Sequence, residues 1–253
     1  MKIAVISGAS SGIGRELVKI IDRRCKVLDE IWVIGRRRDR LEKLQFHLNH
    51  PLRIIDMDLS LTENLKKLQE LFEKKKPRVF VLAASAGLGK YGLCRDLDPK
   101  DAMDMININV RALTALTQMA LPYMVRGGRI ILMSSSAAFV PQPGFSIYAA
   151  TKAYVLSYGQ SLNAELKKER VHVTVVCPGP VDTEFFQHCG SGKTLSAIKL
   201  FFMANPEKVA ALAWRDALRK KPVSVYGLAM RLFRTGTKII PHKVLITGMR
   251  LFL

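Results

Sequence analysis

The sequence predicts an α/β fold, a doubly wound parallel sheet of about seven strands with helices on both faces, formed as a single domain. Three observations predict it. Short apolar, β-rich runs alternate with longer amphipathic runs and never repeat, the pattern of strands joined by crossover helices. A glycine-rich turn follows the first strand and opens a helix. The 253 residues, 49% hydrophobic and 24% charged, suffice for one large globular domain with a substantial core.

Lys2 to Ser7 is the first strand. It runs into GASSGIG, Gly8 to Gly14, and then Ile13, Leu17, Ile20 and Ile21 recur at helical spacing. Glycines at such a turn let the backbone approach a pyrophosphate, whose charge sits at the helix N-terminus. Their spacing is GxxxGxG. Ile31 to Ile34 is the second strand, ending at Gly35, Arg36, Arg37 and Arg38. A carboxylate at this strand end would bind the ribose diol of NAD and repel a 2′-phosphate. None is present, and guanidinium groups suit phosphate through paired hydrogen bonds, so the sequence favours NADP(H).

Leu52 to Met57 is the third strand. Asp58 after it either accepts from an adenine amino group or, with Ser60, caps the helix that starts near Leu61. Leu65 to Lys75 is an amphipathic helix, Val79 to Ala83 a buried strand, and Ser85-Ala86-Gly87 turns away where a cofactor would lie. Asp101 to Met124 reads as one long helix holding Asn107 and Asn109. Asparagine inside a helix is locally unfavourable, so the pair implies a task or a water-filled bend. Arg129 to Met133 is strand five, Phe145 to Lys168 the central helix and Val171 to Cys177 strand six. Pro206 to Arg219 then forms a helix and Val223 to Tyr226 a seventh, edge strand.

The stretch from Ser134 to Lys152, SSSAAFVPQPGFSIYAATK, carries the chemistry. Ser134, Ser135 and Ser136 sit at the C-terminal end of strand five, where an open α/β sheet presents groups to a ligand. A hydroxyl there can polarise a carbonyl. Tyr148 and Lys152 are four residues apart and share one helix face. A free phenol has a pKa of about 10, too high for efficient proton transfer near neutrality. A fixed cation nearby is expected to lower it.

With these motifs the chain resembles the short-chain dehydrogenase/reductase family over roughly Met1 to Tyr226. The matches are GASSGIG, DLS (Asp58 to Ser60), Asn109-Val110, SSS before YAATK, and PGPVDT (Pro178 to Thr183). The resemblance implies a Rossmann-like fold and NADP(H)-dependent interconversion of a ketone or aldehyde and an alcohol. It makes Asn109, Ser135, Tyr148 and Lys152 the catalytic set, with Ser135 polarising the carbonyl, Tyr148 transferring the proton and Asn109 holding a water. The implied cofactor positions are Gly8, Ser10, Ser11, Gly12, Ile13, Gly14, Arg36, Arg37, Asp58, Leu59, Ser85, Ala86, Gly87, Tyr148, Lys152, Pro178, Gly179, Val181 and Thr183. A homodimer or homotetramer through the helices carrying Asn109 and Tyr148 is implied as well. One departure stands out: the family's Asn-Asn-Ala-Gly appears as Ala84-Ser85-Ala86-Gly87, so Ser85 must brace the sheet with a shorter reach or the site is looser.

Glu184 to Asn205 is expected to be a lid, and Phe185, Phe186, Leu195, Leu200, Phe201, Phe202 and Met203 make it apolar. A lipophilic substrate, hydroxysteroid-like or ketoacyl-like, fits such a lid. Leu228 to Leu253 interleaves apolar residues with five bases. It is either an interfacial contact with the inner membrane face or an arm closing the pocket or joining subunits. Forty Lys+Arg against 21 Asp+Glu give a net charge of +19, suited to phosphates, nucleic acid or anionic lipid. Neither a recognised nucleic-acid motif nor interleaved exposed aromatics accompanies the charge, so no nucleic-acid partner is expected. A nucleotide-sensing scaffold is the other alternative, yet it would be expected to have lost Ser135, Tyr148 or Lys152. Four cysteines without CxxC spacing indicate a reduced, cytoplasmic protein, and the five histidines form no metal-ligand cluster, so no metal is expected.

Overall fold

Seven strands form one parallel sheet in the computed structural model, which describes residues 1–185, 189 and 203–250. They are β1 (Lys2–Ser7), β2 (Glu30–Gly35), β3 (Leu52–Asp56), β4 (Arg78–Ala84), β5 (Met124–Met133), β6 (His172–Val176) and β7 (Val223–Ser224). Their order is β3-β2-β1-β4-β5-β6-β7, so the winding reverses between β1 and β4. A doubly wound sheet opens a crevice at that reversal, beyond the carboxyl ends of the strands. The register aligns those ends: Ser7 lies opposite Ile34 and Ala84, Ala84 opposite Leu132, and Met133 opposite Val176.

Both faces of the sheet are buried, which is why its strands are continuously apolar. On β2, Trp32 and Ile34 point into a core with Phe72, Leu82, Leu116, Leu132 and Val155. These include residues of α3 (Thr62–Lys75), α5 (Leu113–Ala120) and α6 (Ser146–Glu165). Ile31 and Val33 point the other way, into a core with Ile6, Leu17, Ile21, Val81, Ile131 and Trp214. That second layer is built by α1 (Gly12–Arg24), α2 (Arg38–Gln45) and α7 (Pro206–Leu218). Asn205 starts α7 by accepting hydrogen bonds from the Glu207 and Lys208 N–H groups at 2.8 and 3.3 Å.

The long helix expected from Asp101 to Met124 is not continuous. α4 (Pro99–Ile106) passes through a π turn at Asn107–Ala112 into α5, and a 3₁₀ turn at Leu121–Tyr123 ends the helical run. Pro122 removes a backbone donor there. β5 therefore begins at Met124, five residues before the expected Arg129, and tolerates the irregular start through a register shift and the positive φ of Gly127. The edge strand is shorter than expected, two residues, because Gly227 (φ 84°) turns the chain away.

Beyond that turn, α8 (Leu228–Ile239) and α9 (His242–Arg250) follow. Among the described residues no helix is long and apolar enough to cross a membrane. Of the expected lid, residues 186–188 and 190–202 lie outside the described residues, and with them Phe186, Leu195, Leu200, Phe201 and Phe202.

Candidate active site

The first wall of the crevice is the glycine turn between β1 and α1. Gly8 has φ 68°, and a Cβ there would lie 2.7 Å from the Ala86 nitrogen, so no side chain fits. The Ser11 side chain makes no capping hydrogen bond and the first turn of α1 holds no acid. Its N–H groups thus face the cleft ready for an anion. The turn is braced by Ser7, which has no motif of its own. Its hydroxyl accepts from the Ser85 and Ala86 N–H groups at 3.1 and 3.2 Å. Ser85 takes part in this brace through its main chain.

Strand ends β2 and β3 supply charge. Arg37 Nη2 donates to Ser11 Oγ at 2.8 Å and to Ser10 Oγ at 3.2 Å. Its Nη1 donates to Glu184 Oε2 at 2.5 Å, and Arg40 also donates to the Glu184 carboxylate. These two guanidinium groups hold the Glu184 carboxyl down at about 2. Arg36 pairs with Asp58 at 3.5 Å. Asp58 Oδ1 accepts from the Ser60 N–H at 2.9 Å and the Ser60 hydroxyl at 2.7 Å. Burial opposes its charge, but the Ser60 hydrogen bonds and the Arg36 cation hold its pKa below the usual range. The helix-cap alternative is not what the structure shows: α3 begins at Thr62 after Leu61, with no side-chain cap.

The opposite wall comes from β5, α6 and the loop after β6. Ser135, extended at φ −162°, follows β5 and is hydrogen-bonded to the Tyr148 phenol. Ser134 points inward and donates to the Lys152 carbonyl at 2.7 Å, so it is a structural group. Tyr148 stacks on Phe145 with centroids 4.2 Å apart and meets Phe185 at 5.5 Å. Lys152 Nζ donates to the Met133 carbonyl at 3.1 Å and lies 5.6 Å from the Tyr148 ring centroid. The expectation that the cation draws the phenol's pKa downward is not met. Both side chains are buried, and desolvation penalises the charged form of each. Burial raises the Tyr148 pKa above its ordinary value, against the Ser135 hydrogen bond, and lowers that of Lys152 to about 8.

Asn109 sits on the π turn, fully buried. Its Oδ1 accepts from the Leu88 N–H at 2.9 Å, and Nδ2 donates to the Leu88 carbonyl at 2.8 Å and to Thr151 Oγ1 at 3.0 Å. Both amide protons are taken, so the side chain clamps the loop after β4 to α6 rather than donating to a water. Asn107 makes no such bridge among the hydrogen bonds of the described residues.

These walls enclose one cleft of about 1080 Å³. Ser135 and all nineteen expected cofactor positions line it, from Gly8 to Thr183; Asn109 stands behind it. Thr183 closes over the glycine turn, its Cγ2 within 3.0 Å of where a Gly12 Cβ would be. At the other end Leu88, Tyr91, Pro143, Phe145, Phe185, Met230 and Phe233 give an apolar mouth. Met230 and Phe233 belong to α8, so part of the C-terminal segment lines the pocket. Ser7, Thr151 and Glu184 are site residues to which the sequence assigned no role; their partners lie 78, 42 and 147 positions away, where local pattern carries no signal.

Comparison with known proteins agrees with this geometry. The family model described as short chain dehydrogenase matches residues 2–193. Sulfoacetaldehyde reductase 2 of Chromohalobacter salexigens is 30% identical over 239 residues, covering 89% of this chain and 92% of that protein. An uncharacterized oxidoreductase of Staphylococcus epidermidis is 30% identical over 184 residues, 72% of this chain and 79% of its own. Among solved structures, a short-chain dehydrogenase from Sphingobium yanoikuyae in complex with NADPH superposes with a TM-score of 0.79 at 25% identity, covering 94% of this chain and 96% of that one.

Proposed function

The chain belongs to the short-chain dehydrogenase family and is an oxidoreductase, and from that premise we propose that it reduces a lipophilic ketone or aldehyde to an alcohol, reversibly, with NADP(H). The observation that carries the proposal is the meeting of Ser135, Tyr148 and Lys152 with the glycine turn in one cleft. The fit to a dinucleotide rests on the side-chain-free cradle at Gly8, the uncapped start of α1 and the arginines at the end of β2. Gly8 to Gly14 would hold the pyrophosphate, Arg36 and Arg37 a 2′-phosphate, and Pro178, Gly179, Val181 and Thr183 the nicotinamide end. When bound, the cofactor supplies the hydride.

The protein's own groups do the rest. Ser135 hydrogen-bonds the substrate oxygen and keeps it beside the phenol. Tyr148, held protonated at neutral pH by its burial, donates the proton as negative charge develops on that oxygen. Lys152, anchored on the Met133 carbonyl, keeps a cation beneath the ring and offsets the charge left on the phenol. Phe145 fixes the ring plane by stacking, and Asn109 with Thr151 fixes the helix that carries it. In the oxidative direction Tyr148 is the base.

The lipophilic substrate class is supported by the apolar mouth, to which Phe185, Met230 and Phe233 contribute. A subunit interface through α4 to α6 is supported by exposed Met103, Ile106 and Tyr154. α8 has two faces: Met230 and Phe233 turn inward, while Leu228, Leu232 and Ile239 turn outward beside the basic residues of the tail. The outward face supports peripheral contact with an anionic membrane on the cytoplasmic side.

The deciding experiment is oxidation of NADPH and of NADH over a panel of steroid, acyl and aromatic ketones, with Tyr148→Phe as the control. The wild type is expected to consume NADPH with a lipophilic ketone. The variant should lose turnover by about 10²- to 10⁴-fold while still binding the cofactor. Undiminished turnover in Tyr148→Phe overturns the assignment.

A further inference from the structure

An anion already sits on the arginines that would select the cofactor. Glu184, from the segment after β6, bridges Arg37 and Arg40, which belong to the turn after β2 and to α2. Arg37 commits four of its five N–H donors: Nε and Nη2 donate to Ser10, Nη2 to Ser11, and Nη1 to Glu184. Three residues from two distant parts of the chain thus converge on one guanidinium at the rim of the cleft. Of its partners, only Glu184 carries charge. A phosphate monoester arriving at Arg37 must exchange with that carboxylate or remain beside a like charge.

We propose that Glu184 is a specificity-determining residue, an internal counter-ion that competes with the 2′-phosphate for Arg37 and Arg40 and so holds back the preference for NADP(H) over NAD(H). This rests on the reading that Arg37 receives the 2′-phosphate. NAD(H), which has no phosphate there, binds without displacing Glu184. The carboxylate therefore sets the gap between the two cofactors rather than the strength of dinucleotide binding as a whole. A glutamine keeps the shape and one hydrogen-bond acceptor but removes the competing charge.

The test is the dissociation constant of NADPH, NADH and 2′-AMP for the wild type, Glu184→Gln, Glu184→Ala and Arg37→Ala, each checked for folding by its thermal transition. Removing Glu184's charge should tighten NADPH and 2′-AMP by about tenfold, the scale of one charge contact at a protein surface, and move NADH by less than about twofold. Unchanged or weaker NADPH binding in both Glu184 variants overturns the proposal; weaker binding would mean that Glu184 positions the arginines. The underlying reading fails separately: if Arg37→Ala binds NADPH as tightly as the wild type does, Arg37 is not the phosphate site.

Discussion

Tyr148 and Lys152 are pushed in opposite directions by the same burial, and this shapes the pH response. With its pKa lowered to about 8, Lys152 is an ammonium below that pH and becomes neutral above it. The phenol, raised by burial, stays protonated throughout the neutral range. Reduction, which needs both protons in place, should hold level below pH 8 and decline as Lys152 titrates; a pH profile of kcat/KM with saturating NADPH checks this. A profile flat from pH 7 to 10 would contradict it. Ser135, Tyr148 and Lys152 were legible in the sequence because the motif lies within 18 residues, on one strand end and one helix face. The sign of the phenol's shift was not, since it depends on how deeply the fold buries the ring. Ser7, Thr151 and Glu184 were illegible for a related reason: their hydrogen-bond partners lie 42 to 147 positions away in the chain.

At the scale of elements, α6 packs closely against the sheet. A Cβ on Gly159 would lie 2.3 Å from Val175 Cγ2 and 3.1 Å from Leu132 Cδ1. The helix that carries Tyr148 can approach β5 and β6 only because that position is bare. Gly159→Val should destabilise the fold by about 1–3 kcal/mol or more, although glycine inside a helix is otherwise a cost, and it should shift Tyr148 away from Ser135. Urea unfolding measures the first effect and turnover per folded molecule the second; a stabilised variant would refute the packing account. Strand positions were readable because apolar runs between turns leave little choice in a buried parallel sheet. The π turn was not, because its cause is tertiary: Asn109 is drawn into the Leu88 and Thr151 contacts, and the helix adds a residue to let it reach. The early start of β5 was hidden likewise: the apolar run begins at Arg129, while Gly127 and Gly128 sit within an irregular strand.

For the whole molecule the charge of +19 is unevenly spent. Some of it lines the cofactor end of the cleft, paired with Asp58 and Glu184. From residue 217 onward the chain holds bases and no acid. There Leu232 is 64% and Ile239 76% exposed, on the side of α8 away from the pocket. Phosphatidylcholine vesicles with added phosphatidylglycerol should therefore sediment the protein, neutral vesicles much less, and salt should release it. Leu232→Asp should weaken the binding, and equal recovery with both vesicle types would exclude an electrostatic attachment. Composition announced this surface, but only the packing of Met230 and Phe233 shows which half of the tail remains outside.

The order of contributions along the chain has a further consequence. The glycine turn, the arginines after β2 and Asp58 all precede Gly87 in the chain, whereas Tyr148 and Lys152 follow β5. A nascent chain released from the ribosome as far as β4 would display Val81 to Ala84 as a bare, apolar parallel edge, the kind of template that recruits other chains. Docking of β5 covers that edge and brings Ser135 to the cleft, while α6 and the loop after β6, which follow in the chain, complete the second wall. Assembly of the reaction centre and covering of the apolar edges thus proceed through the same half of the sheet.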